Sequence, residues 1–220
     1  MKKNLLKAGI LMMMLALIFS FAGCSKSEPA EEPAEADEPV AEEPAEPETP
    51  AIDGAKVGYD GDDPVVYAVY EYLINEIGKD HFEPADYSIP TVDVIETDDS
   101  DPNLIKVKGC YEVDNYNLEA DTETLKCVSG GSFPGCMVVA PNGDGTYKVT
   151  EFQPVEDGGN FEPTAKEIFG DSYDKFMEHE SDEQLHKDLR LKSVSLFVKA
   201  NEIQATKYQD EGWDPVDLQL

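Results

Sequence analysis

The spacing of apolar residues changes several times along the chain, and each change marks a boundary. Ala8 to Ala22 is a continuous apolar run of about 15 residues. From Ser25 to Pro50, Val40 is the only sizeable apolar side chain. Helical spacing then begins. Val66, Val69, Tyr70, Leu73, Ile74 and Ile77 form one stripe, as expected of an amphipathic helix. Asp62-Asp63-Pro64 supplies an acidic cap and a first-turn proline, and Gly78 is the expected stop.

From Thr91 to about Phe152 the period becomes two. Val92 and Val94 alternate with Asp93. Ile105, Val107, Gly109, Tyr111 and Val113 share one strand face; Lys106, Lys108, Cys110, Glu112 and Asp114 share the other. Further short apolar runs surround Leu125 and Cys127, and Met137 to Ala140. Asn142-Gly143-Asp144-Gly145 is a hairpin turn leading into Tyr147 to Phe152. This predicts an antiparallel meander of four or five strands. Past Gly158-Gly159, helical spacing returns through Ala165, Ile168, Phe169, Tyr173, Phe176 and Met177. Thr164 to Glu167 and Ser181 to Gln184 both read as capping boxes. The second opens a helix towards Lys199.

The predicted fold class is therefore α+β. An N-terminal amphipathic helix packs on an antiparallel meander sheet, and C-terminal helices follow. Three segments are expected: 1–23 as signal peptide, 24–52 as tether, and 53–220 as a single domain. Charge sharpens that division. The whole chain carries 17 basic and 47 acidic residues, a net charge of −30. That balance excludes a nucleic-acid binder acting through phosphate neutralisation. Residues 25–50 hold nine Glu, one Asp, one Lys and six Pro. Such a stretch cannot bury enough surface to offset its ordering entropy, so it is expected to be disordered. Extended at about 3.1 Å per residue, it would reach on the order of 80 Å.

The N-terminus opens with Lys2, Lys3 and Lys7 ahead of the apolar run. The run is shorter than the roughly 20 residues a spanning helix needs. It ends in Phe21-Ala22-Gly23-Cys24. These residues resemble the bacterial lipobox, with Phe21 in the place usually held by Leu. The resemblance implies acylation (palmitate-class chains) of the Cys24 sulfur and cleavage after Gly23. Each buried CH₂ contributes about 0.8 kcal/mol, and two or more chains anchor stably. The expected address is the cell membrane, lipid-anchored, facing outside the cytoplasm, with the bilayer as partner through the Cys24 acyl chains.

A helix laid before a curved meander resembles the cystatin-like or nuclear transport factor 2-like cone. The order of helix, the Ser129-Gly130-Gly131-Ser132-Phe133-Pro134-Gly135 segment, the hairpin, and Glu156-Asp157-Gly158 before Ile168-Phe169 is similar to small lipoproteins of clostridia-type bacteria. The resemblance implies a fold and an address, and no particular activity.

Three cysteines remain in the domain: Cys110, Cys127 and Cys136. An oxidising compartment favours one disulfide and one thiol. Cys127 and Cys136 bracket eight residues with three Gly and one Pro. Closing that loop would contribute roughly 2–3 kcal/mol. Pairing with Cys110 and three reduced thiols are the alternatives, and Cys110 falls on the charged, solvent-facing side of its strand. His179, Glu183 and His186 have metal-ligand spacing only if one unbroken helix carries them, and Ser181 is expected to break it. Asp93, Asp98, Asp99 and Asp101 crowd one loop without the pattern of a calcium loop. No nucleophile or phosphate-loop motif occurs. Asp114, Tyr111 and Tyr116 are the residues that a cone cavity would recruit. No catalytic set, metal or cofactor is assigned. The expected role is a non-catalytic binding or accessory module, with a basic protein, peptide or cation-bridged wall polymer as partner. The alternative is a small-ligand or enzymatic cone domain.

Overall fold

The computed structural model describes residues 55–80 and 85–220. The signal peptide, Cys24, the tether and His81 lie outside the described residues. The domain is mixed α+β with an open, mostly antiparallel sheet. Helix α1 (Pro64–Tyr72) begins at Asp63, whose carboxylate accepts from the Val65 and Val66 N–H groups. It runs into a π-helical turn, Leu73–Ile77, closed by the Gly78 N–H donating to the Leu73 carbonyl. A last turn, α2 (Gly78–Asp80), follows. Gly78 therefore does not stop the helix. A Cβ there would meet the Ser88 Cβ at 2.8 Å, so glycine permits close packing on the sheet.

The sheet comprises β1 (Tyr87–Asp98), β2 (Ile105–Glu119), β3 (Thr124–Ser132), β4 (Gly135–Pro141), β5 (Tyr147–Pro154), β6 (Lys207–Gln209) and β7 (Val216–Asp217). The long β2 pairs with β1 along one edge. Along its other edge, β4 pairs with its first residues and β3 with its last, both antiparallel. β3 and β4 thus form one interrupted strand, and Phe133 between them still donates to the Tyr111 carbonyl. The Asn142–Gly145 turn joins β4 to β5, with Gly143 and Gly145 at φ of +89° and +93°. The two short tail strands were not expected. β6 lies parallel to β3, tied down by the Glu123 carbonyl, which accepts from Thr206 and Lys207.

Each sheet face carries a core. Val107, Tyr111, Val113, Met137 and Val139 are buried beneath Val65, Val69, Leu73 and Ile77. Burying each such side chain contributes about 1.5–3 kcal/mol. The Tyr111 hydroxyl donates to the Val107 carbonyl, so the residue is core. The second face is covered by α3 (Phe161–Phe169), α4 (Tyr173–Glu180) and α5 (Glu183–Ala200). Phe169 and Phe176 stack at 4.0 Å there, beside Ile95 and Cys110.

That second cover corrects two expectations. Cys110 does not face solvent; it is 3% exposed. Cys127 and Cys136 pair with Tyr116 and Lys108, eight positions apart along β2. At about 3.3 Å per residue their separation is on the order of 25 Å, and a disulfide needs Cα atoms within about 7 Å. The expected Cys127–Cys136 bridge is therefore incompatible with this sheet, and the three thiols are free. The first capping box is also displaced. Thr164 lies inside α3, where its hydroxyl donates to the Asn160 carbonyl. At the second box the cap is Asp182, which accepts from Gln184 and Leu185.

Candidate functional site: an arginine-centred cavity

Glu112 and Asp114 are polar residues on the helix-covered face of β2, yet they are only 8% and 7% exposed. Burying two carboxylates is costly unless each meets positive charge. Arg190, the only arginine in the chain, meets that need from α5. Its Nη2 donates to Glu112 Oε2 at 2.8 Å, and its Nη1 to Asp210 Oδ2 at 3.0 Å. Its Nε lies 3.0 Å from Asp114 Oδ2, an ion-pair distance, but off the line of a hydrogen bond. One planar guanidinium thus faces three carboxylates. Lysine could not do this with a single ammonium.

His186 completes the network. Its Nδ1 is 2.7 Å from Glu112 Oε1, and its Nε2 is 3.0 Å from the His179 carbonyl. A carboxylate and a carbonyl both accept, so this geometry favours the ring protonated on both nitrogens. Burial opposes that charge, but the hydrogen bond and charge of Glu112 outweigh it, and the His186 pKa is raised. Burial also dominates Asp114. Arg190 favours its charged form, while Glu112 and Asp210 disfavour it, and its pKa is pushed up to about 7. Burial raises Glu180 as well.

Above this network lies a cavity of about 450 Å³. Glu180, Glu183, His186, Lys187 and Arg190 line one side; Tyr208, Asp210, Trp213, Asp214 and Val216 line the other. Trp213 is 63% exposed, and the Lys187 ammonium sits 4.7 Å from its ring centroid. Six buried side-chain polar atoms among the described residues lack a hydrogen-bond partner. Two of them, Asp114 Oδ2 and Arg190 Nε, face each other as an ion pair at 3.0 Å; three more belong to Tyr116, Glu180 and Asp210, within this network or on residues lining the cavity. Buried polar atoms are nearly always paired, so such a concentration marks a place that a ligand or ordered water completes.

The residues expected from the sequence fare unevenly. Asp114 lies beneath the cavity, and Tyr116, fully buried, places its hydroxyl near Asp114, Asp210 and Arg190. His179 and His186 stand on separate helices; His179 Nδ1 pairs with Asp93 Oδ2 at 2.6 Å. Among Cys110, Cys127 and Cys136, none lines the cavity. Arg190, Asp210, Glu180 and Trp213 were missed. The one available signal was the singular arginine in a chain otherwise supplied with lysine.

Gly130 shapes the floor. It pairs across the strands with Asp114, and a Cβ at Gly130 would lie 2.0 Å from Asp114 Oδ1. Gly130→Ala is expected to lower stability by about 1–3 kcal/mol, because the Arg190 network holds that carboxylate in place. Gly159→Ala, with nothing within 4 Å, is the neutral control. Urea unfolding of both variants checks this.

Compared with family models, curated proteins and solved structures, the chain matches none of them.

Proposed function

We propose that this chain is a membrane-anchored, extracytoplasmic lipoprotein whose α+β domain is a non-catalytic module that binds a small polar ligand. One observation carries the binding half: a cavity of about 450 Å³ whose lining residues Glu180 and Asp210 each hold a buried oxygen without a hydrogen-bond partner. Pockets for small molecules have this size and a few convergent polar groups. Native mass spectrometry of the protein extracted from its own membrane tests the pocket. A bound small molecule of up to a few hundred daltons is expected. A bare chain, with no thermal shift from amines, sugars or organic acids, would overturn it.

The anchoring half rests on Lys2, Lys3, Lys7 and Phe21-Ala22-Gly23-Cys24. Among the described residues no helix is long and apolar enough to cross a membrane. Cys24→Ser is expected to abolish palmitate labelling and move the protein from the membrane to the soluble fraction. A variant that stays membrane-bound and correctly processed sinks the lipidation reading.

A further inference from the structure

Resting on the pocket reading above, we infer that the ligand class is a small organic cation, an ammonium group carried on an apolar or aromatic body. The arrangement of unmet valences points there. Glu180 and Asp210 line the cavity, and each has one buried oxygen, Oε2 and Oδ1, without a hydrogen-bond partner, although the Cys110 thiol bonds the Glu180 carboxylate and Arg190 the other Asp210 oxygen. An ionised carboxylate can only accept, so the missing partner is an N–H or O–H donor. The neighbouring cations do not supply it. Arg190 is engaged with Glu112, Asp114 and Asp210, and His186 with Glu112 and a carbonyl.

A second observation is independent of the carboxylates. The chain already places a cation on the aromatic wall: Lys187 Nζ lies 4.7 Å from the Trp213 ring centroid. Trp is the ring that attracts cations best. Lys187 is therefore a tethered stand-in for the ligand's ammonium, and a ligand would displace it. Tyr208 and the exposed Trp213 supply apolar surface for the rest of the molecule.

Isothermal titration of the full chain at pH 7 and 150 mM NaCl tests this with three isosteric probes: phenethylamine, phenethyl alcohol and phenylacetate. Phenethylamine is expected to bind at least tenfold more tightly than the alcohol, and phenylacetate to be the weakest. Glu180→Gln is expected to weaken the amine at least tenfold. Lys187→Gln is expected to tighten it severalfold by freeing the Trp213 face. Lys199→Gln removes the same charge from an exposed position elsewhere on α5 and is expected to change nothing. If the alcohol or the acid binds as tightly as the amine, and Trp213→Ala weakens it, the pocket stands and the cation assignment falls. If Lys187→Gln and Lys199→Gln tighten the amine equally, diffuse surface charge is responsible and the assignment also falls. If none of the three probes binds, both the assignment and the pocket reading are overturned.

Discussion

Replacing Arg190 with Met is expected to lower the unfolding free energy by about 3–5 kcal/mol, the cost of leaving buried charge without its partner. Methionine keeps most of the apolar stem volume, so the loss isolates the guanidinium. Without it, Glu112 and Asp114, both under 10% exposed, face each other and Asp210 as like charges. For a domain of this size the melting temperature should fall by roughly 10 °C. Arg190→Lys is expected to recover only part of the loss, because one ammonium cannot serve three carboxylates held in different directions. Adding Asp114→Asn to Arg190→Met should restore stability, so the pair will be strongly non-additive. Urea unfolding of the parent, Arg190→Met, Arg190→Lys, Asp114→Asn and the double variant checks this. A loss under 1 kcal/mol in Arg190→Met would show that water, not the guanidinium, compensates these carboxylates.

The second large effect is on pH. Asp114 has a pKa of about 7 in the folded protein, against 3.8 ordinarily. The folded state therefore holds this proton more tightly than the unfolded chain. Its contribution is complete below about 3.8 and is lost as pH rises through about 7. The bound in energy is about 4 kcal/mol. His186 acts in the same direction. Its folded pKa is raised, so its stabilisation is complete below its ordinary value near 6.5 and is lost as pH rises through the folded value. Glu180, also raised, adds to the trend. Glu96 opposes it, because Ser172 and Lys108 hold its pKa down, and its stabilisation fades only as pH falls through the acid range. Stability should therefore peak near pH 5 and decline towards pH 8, with a melting temperature at least 5 °C higher at pH 5. Asp114→Asn should remove most of that slope. Melting curves from pH 4 to 8 decide it, and a flat profile in the parent protein would show that Arg190 keeps Asp114 ionised throughout.

Both effects arise on a sheet face whose sequence reads as solvent-exposed. The alternation Lys106, Lys108, Cys110, Glu112, Asp114 is that of a wet face, and for Lys106 it is correct. At Cys110, Glu112 and Asp114 it fails, because α4 and α5 return from about 70 residues downstream to cover them. Periodicity within a strand cannot reveal which distant element lies over it. Gly78 misleads in a similar way. A glycine after a helical stripe usually marks a stop, but here the close approach of Ser88 on β1 explains it.

What the sequence by itself determined is the local structure. Asp63 caps α1 through N–H groups two and three residues away, and Asp182 caps α5 likewise. Asn142 to Gly145 close the β4–β5 hairpin, and the opposite face of β2, from Ile105 to Val113, is the core that its alternation predicts. These depend on interactions within a turn or along one strand, so the residues that specify them are neighbours in the chain. The tertiary structure alone decided the rest. It brought Glu112, Asp114, Arg190 and Asp210 together, seated Trp213 beside Lys187, added the tail as β6 and β7, and set Cys127 far from Cys136. The reason is physical. Convergence of buried charges needs partners that are remote in sequence, and only the packing of α5 and the tail against β2 and β3 selects which carboxylates meet the single arginine.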